Sequence, residues 1–190
     1  PFKMNSLYDQ IGKGYAVKRQ TDPRIAARVM AHLDGAERIV NIGAGTGSYE
    51  PEGVDLVAAE PSQEMIGQRP QNAHPVVQAS AESLPFGDKD FSHAMTTLSM
   101  HHWSDLTRAF AEISRVTRER FVALTWNPAA APFWLTRDYF PEIHAMDLAI
   151  FPALEEVKAA FDEVKIHPLP IPADCQDGFL AAFWKRPSAY

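Results

Sequence analysis

Three alternating glycines, Gly43, Gly45 and Gly47, follow directly on the short apolar run formed by Ile39, Val40 and Ile42. Glycine takes positive φ at little steric cost and lets a ligand approach the main chain. Such a loop turns several N–H groups into one concavity, a seat for an anion. A second apolar run, Leu56 to Ala59, ends in Glu60. An acid at a strand tip beside a glycine loop is where a ribose diol is gripped in a doubly wound sheet. Further along stands Ser99-Met100-His101-His102-Trp103. Imidazole titrates near neutrality, so His101 or His102 can act as a base if a nucleophile arrives protonated. Adjacent histidines are expected to point in different directions, so only one of them should meet a substrate. They lack a third ligand at metal-site spacing, and no metal is expected.

These residues need elements to hold them. Asp22-Pro23 is a good helix start, with Ile25, Val29 and Leu33 on one stripe and Gly35 as the stop. Strands are expected over 38–42, 55–59 and 76–78, and the apolar, threonine-containing stretch 91–98 reads as a fourth. Ser62 is placed to cap a short helix that ends before Pro70. Ser104 should cap a longer helix whose buried stripe is Leu106, Phe110, Ile113 and Val116. A fifth strand is expected over 120–126, a helix around Leu154 to Phe161, a sixth strand over 163–171 and a last helix over 177–185. Only Ser48 to Val54 connect the glycine loop to the second strand, with Pro51 in the middle. A parallel crossover through a helix normally takes at least about 10–12 residues, so at most one helical turn fits here. The loop amides must then supply most of any anion binding, because a single turn has little macrodipole.

At 190 residues the chain is expected to be one domain. Its parts read as an N-terminal arm (1–21), a ligand-binding core (22–126), an insertion (127–152) and a C-terminal part of the sheet with a helix (153–190). The net charge of −6 and the lack of a basic run disfavour nucleic acid as a partner. No stretch approaches the roughly 20 apolar residues of a membrane span, and no secretory leader is seen. The lone Cys175 cannot form an internal disulfide, and a cytoplasmic setting is the expectation. The sequence does not specify an oligomeric state.

The G-x-G-x-G spacing of residues 43–47 resembles motif I of the class I S-adenosylmethionine-dependent methyltransferases. The dinucleotide fingerprint would want its third glycine at Ser48, which disfavours a nicotinamide oxidoreductase. Glu60-Pro61-Ser62 and Ala81-Glu82-Ser83-Leu84-Pro85-Phe86 extend the resemblance in the right order. It implies an α/β, Rossmann-like three-layer sandwich with a mostly parallel central sheet, here with a shortened helix after the first strand; for the family's seventh strand two alternatives stay open, that the chain is a fragment without it or that the sheet closes differently. It also implies S-adenosyl-L-methionine as cofactor, S-adenosyl-L-homocysteine as product and a small-molecule methyl acceptor. By resemblance the cofactor is held by Tyr15, Arg19, Asn41, Gly43, Ala44, Gly45, Thr46, Gly47, Glu60, Pro61, Ser62 and Met65, then by Ser80, Ala81, Glu82, Leu98 and Ser99. Arg19 would pair with its carboxylate. The acceptor would meet Tyr8, His102, Trp103, Trp126 and Trp134, with 127–152 forming its wall. Two positions depart from the family pattern: Asn41 stands where motif I usually has an acid, and Ser80 where an Asp usually reaches the adenine amino group. These departures give weight to an alternative, a non-catalytic cofactor-binding protein of the same fold.

Overall fold

The computed structural model describes residues 19–190. Tyr8 and Tyr15 lie outside them. The centre is a parallel sheet of five strands: β1 (Ile39–Ile42), β2 (Leu56–Ala59), β3 (Val76–Val77), β4 (Phe91–Thr97) and β5 (Thr117–Leu124). Their order is β3-β2-β1-β4-β5, with Ile39 opposite Leu56 on one side and His93 on the other. The chain reverses direction across the sheet at β1, between β2 and β4. That switch point is where open parallel sheets bind ligands, at the carboxyl ends of the strands.

Strand periodicity decides which side chains go to which layer. Val40, Ile42 and Ala94 face one way, into a cluster closed by α3 (Leu106–Val116) through Ala109, Phe110, Ile113 and Val116. Ile39, Leu56, Ala58 and Met95 face the other way, against Val29 and Leu33. Both faces are buried, as a parallel sheet requires. Helix α1 (Pro23–Met30) begins as its sequence suggests: Asp22 Oδ1 accepts from the Arg24 amide at 3.0 Å. Its regular part ends at Met30, before Gly35, and single turns carry the chain on to Leu33. Helix α2 (Gln63–Gly67) is capped by Ser62, whose hydroxyl accepts from the Met65 amide at 3.3 Å.

Between Gly47 and β2 the described chain forms turns and no helix, in line with the shortness of that connection. Tyr49 takes φ of 66° there and is 1% exposed.

The structure corrects the sequence reading in four places. The cap of α3 is Asp105, which accepts from the Arg108 amide at 3.0 Å, while Ser104 binds elsewhere. β5 starts at Thr117, so Arg118 lies on a strand, where it pairs with Glu37 at 2.8 Å. No strand forms over 163–171: the segment is irregular, and Leu169 and Ile171 pack on Ile25, Ala26, Tyr49 and Cys175. Pro168, Pro170 and Pro172 recur at every second residue, which removes the donors along one edge of any such strand. The helix expected over 177–185 is only a 3₁₀ turn, Leu180–Phe183. Between these, α4 (Pro141–Ile150) and α5 (Leu154–Ala159) follow a π-helical turn at Leu135–Tyr139. Among the described residues, no helix is long and apolar enough to cross a membrane.

Candidate functional site

The glycine loop leaves β1 pinned from both neighbouring strands. Thr96 Oγ1 donates to the Ile42 carbonyl at 2.7 Å, and the Gly43 amide donates to Ala59 at 2.9 Å. Gly43, Gly45 and Gly47 all take positive φ, at 65°, 52° and 94°. At Gly43 the reason is close approach as well, since a Cβ there would sit 2.8 Å from Ser99 Cβ. Around Gly45 the position of a Cβ is open, with nothing within 4 Å. The loop's bare face is therefore available to a ligand.

Glu60 sits beside it, 6% exposed. Its Oε2 accepts from the Gly45 amide at 2.7 Å and its Oε1 from the Ser62 amide at 2.9 Å. Burial pushes this carboxyl above its usual range, and the two amides oppose that rise. Each oxygen has a further lone pair. Of the other loop amides, Gly47 donates to Ala44 and Tyr49 to Thr21 Oγ1 at 3.0 Å. The Thr46 and Ser48 amides make no hydrogen bond among the described residues.

Behind the loop lies a device that the sequence reading missed. Arg69 and Glu50 form an ion pair whose side chains are only 4% and 5% exposed. Arg69 Nη2 donates to both Glu50 oxygens, at 2.9 and 2.7 Å, and Nη1 donates to the Gly45 carbonyl at 3.3 Å. Asn41 Nδ2 donates to Glu50 Oε1 at 3.0 Å, and its own Oδ1 is buried with no partner among the described residues. An acid at position 41 would face the Glu50 carboxylate directly, which accounts for an amide there. The pair takes over the support that a longer helix would give the loop. Neither residue stands in a recognisable motif, so the only available signal was the brevity of 48–54.

The residues assigned from the third strand onward divide. Ala81 is buried in the core below the sheet, and Met65 is buried in the first turns of α2. Ser80 forms a small bridge with Ser83 at the strand ends. The Glu82 carboxylate is engaged by the start of α3: Oε1 accepts from the Ser104 amide at 2.6 Å, the Ser104 hydroxyl at 3.0 Å and the Asp105 amide at 3.3 Å. Pro61 lends its carbonyl to Gln78 Nε2 at 3.1 Å. Arg19 is paired with the fully buried Asp177, through Nε at 2.7 Å and Nη2 at 3.1 Å. Asp177 also accepts from the Tyr49 hydroxyl at 2.8 Å. This joins the C-terminal segment to the residues just after the glycine loop. Burial, with the Asp177 charge next in weight, raises the Tyr49 phenol far above its usual range.

β4 gives way to Leu98, held at φ of 49° with its amide bonded to the Leu124 carbonyl at 2.7 Å. Positive φ costs a branched residue energy, and such strain collects at functional sites. Beyond it the 3₁₀ turn Met100–His102 brings the two histidine rings within 3.7 Å of each other, correcting the expectation that they diverge. His101 also stacks on Phe151 at 4.2 Å. Burial pushes the His101 imidazole down to about 3 and that of His102 to about 4. Both are neutral at physiological pH and are poor proton acceptors. Trp103 packs edge-on against Phe110 at 6.0 Å.

Leu98 and His101 open onto a cavity of about 290 Å³. Its walls include Trp126, Phe133, Phe151 and Phe179, drawn from the end of β5, the insertion and the C-terminal segment. Of the residues expected to meet an acceptor, Trp126 lines this cavity. His102, Trp103 and Trp134 do not. Trp134 stands behind Phe133 and donates from Nε1 to the Trp184 carbonyl at 2.6 Å.

A family profile described as a methyltransferase domain matches residues 40–122, from β1 into β5. A crystal structure from Anabaena variabilis, described as a methyltransferase from an antibiotic biosynthesis pathway, superimposes with a TM-score of 0.83 at 32% identity, covering 91% of this chain and 75% of that one. A demethylmenaquinone methyltransferase of Renibacterium salmoninarum is 26% identical over 149 residues, 70% of this chain and 63% of that protein. An uncharacterized methyltransferase of Bacillus subtilis, YcgJ, is 29% identical over 100 residues, 47% of this chain and 40% of that protein. The chain thus spans 63% and 40% of the lengths of these two curated relatives. Its sheet order, its glycine loop with Glu60, and the match to the Anabaena structure agree: the chain belongs to the class I S-adenosylmethionine-dependent methyltransferase family.

Proposed function

We propose that the chain transfers the methyl group of S-adenosylmethionine to a small-molecule acceptor and leaves S-adenosylhomocysteine as the product. One observation carries this reading. The segment Leu98–His101 packs Ser99 against Gly43 of the loop and at the same time lines the aromatic cavity with Leu98 and His101. A ligand on the loop and a ligand in the cavity would meet across it.

The residues present fit the cofactor. Glu60 offers spare lone pairs to a ribose diol, and the open face at Gly45 admits it. The unengaged Thr46 and Ser48 amides suit a carboxylate, and the orphaned Asn41 Oδ1 suits an ammonium group. When bound, S-adenosylmethionine supplies a methyl group already activated as a sulfonium. The protein then needs chiefly to align the acceptor and exclude water, an effect worth roughly 7–11 kcal/mol when the geometry is good. The cavity walls do this, with Leu98 fixed by its bond to β5. His101, being neutral, can accept a hydrogen bond from the acceptor but removes a proton poorly.

That same weak basicity favours a second reading, a binding protein of this fold without turnover. The two are separated by incubating the protein with methyl-labelled cofactor and a panel of small acceptors. Label in any acceptor supports transfer. Tight binding of S-adenosylhomocysteine with no transfer to any of them supports the second reading, and no thermal shift with either form of the cofactor overturns both.

A further inference from the structure

We propose that the cavity takes a small molecule bearing a protonated amine, held by Asp147 against aromatic walls. This rests on the reading of the cavity as the acceptor site. Helix α4 carries His144 and Asp147 three residues apart, and both line the cavity. The Asp147 carboxylate makes no hydrogen bond or ion pair among the described residues. Burial raises its carboxyl above the usual range, and His144 partly opposes this.

The other charges nearby do not neutralise Asp147. Arg19 reaches the cavity, but its guanidinium is bonded to the Asp177 carboxylate behind it. His101 contributes no charge at neutral pH. What remains is one carboxylate, offset only in part by His144 one helical turn away, amid Trp126, Phe133, Phe151 and Phe179. An anionic ligand would meet this carboxylate at close quarters. A neutral apolar ligand would strip its water and leave it unpaired, which is costly. A cation gains on both counts, because it pairs with the carboxylate and is attracted to the faces of the surrounding rings. The size of the cavity suits a small molecule.

The test uses three probes of similar shape, 2-phenylethylamine, 2-phenylethanol and 3-phenylpropionate, with binding read by saturation-transfer NMR on the whole chain. The amine should bind about tenfold or more tightly than the alcohol, the size expected of a hydrogen bond to a charged group, and the propionate should bind weakest. Asp147→Asn should abolish the preference while leaving the affinity for the alcohol unchanged, and Asp147→Glu should keep it. Asp147 is only half-buried and its carboxylate holds no structural bond, so these variants should fold. Equal or tighter binding of the alcohol or the propionate, no binding of the amine, or an undiminished amine preference in Asp147→Asn overturns the proposal. Calorimetry with S-adenosylhomocysteine is run in parallel. Its failure would sink the methyl-transfer reading, while the probe preference would still report on Asp147.

Discussion

Replacing Glu50 by Gln should destabilise the protein severely, although Glu50 stands in no motif. The substitution keeps the shape of the side chain and removes one charge of a pair that is almost wholly buried. Arg69 would then carry its charge in the interior, supported by a neutral amide and by the carbonyls of Gly45 and His74 at 3.3 and 3.4 Å. Breaking a buried pair by removing one partner typically costs about 3–5 kcal/mol. The carbonyl contacts and the remaining amide oxygen place the expectation toward the lower end. For a chain of this length each kcal/mol lowers the melting temperature by roughly 2–4 °C, so the drop should be about 6–12 °C. Urea unfolding followed by circular dichroism measures the loss directly. The double variant Glu50→Leu, Arg69→Met should recover only part of it: an apolar pair of similar volume carries no desolvation cost, but the buried Asn41 Nδ2 loses its acceptor. A loss below about 1 kcal/mol in Glu50→Gln, the range of an exposed pair, would refute the argument that this pair holds the loop.

Other expectations follow from the same geometry. Glu60→Gln should weaken S-adenosylhomocysteine binding by about 1.5–3 kcal/mol, read by calorimetry; wild-type affinity would leave Glu60 a purely structural acid. Because burial raises the Glu60 carboxyl, the wild-type affinity should begin to fall on acidification above the ordinary carboxylate range, and Glu60→Gln should lack that phase. The folded-state values of His101 and His102 lie below the unfolded value, so the stability linked to them is complete above about pH 6.5 and is lost as pH falls toward 4 and then 3. Melting temperatures across that window should show the loss, and His101→Phe should flatten the curve. Asp177→Asn removes the charge that Arg19 pairs with here and weakens the acceptor for Tyr49, so it should be destabilising in denaturant unfolding by more than the roughly 1 kcal/mol of an exposed pair; a smaller change would contradict the buried placement of Asp177.

The sequence by itself determined the half of the sheet that carries the glycine loop. The glycine loop, Glu60 and the strands before them are local features: apolar runs of strand length, glycines where positive φ is needed, and an acid at a strand tip. Chain arithmetic over 48–54 settled the lost helix, because too few residues remain to build it and return. Tertiary structure decided what local pattern cannot encode. Val164 and Ile166 alternate with polar residues as a strand should, yet a strand exists only with a partner, and the prolines at 168, 170 and 172 deny the donors for one. Arg19 meets Asp177 across 158 positions of sequence, and Tyr49 meets it across 128, so no spacing announces either bond. The histidines were legible as residues, but their basicity was not. Burial under Phe151 and the turn that presses the rings together set it, and desolvation is a property of everything packed around a group rather than of the group itself.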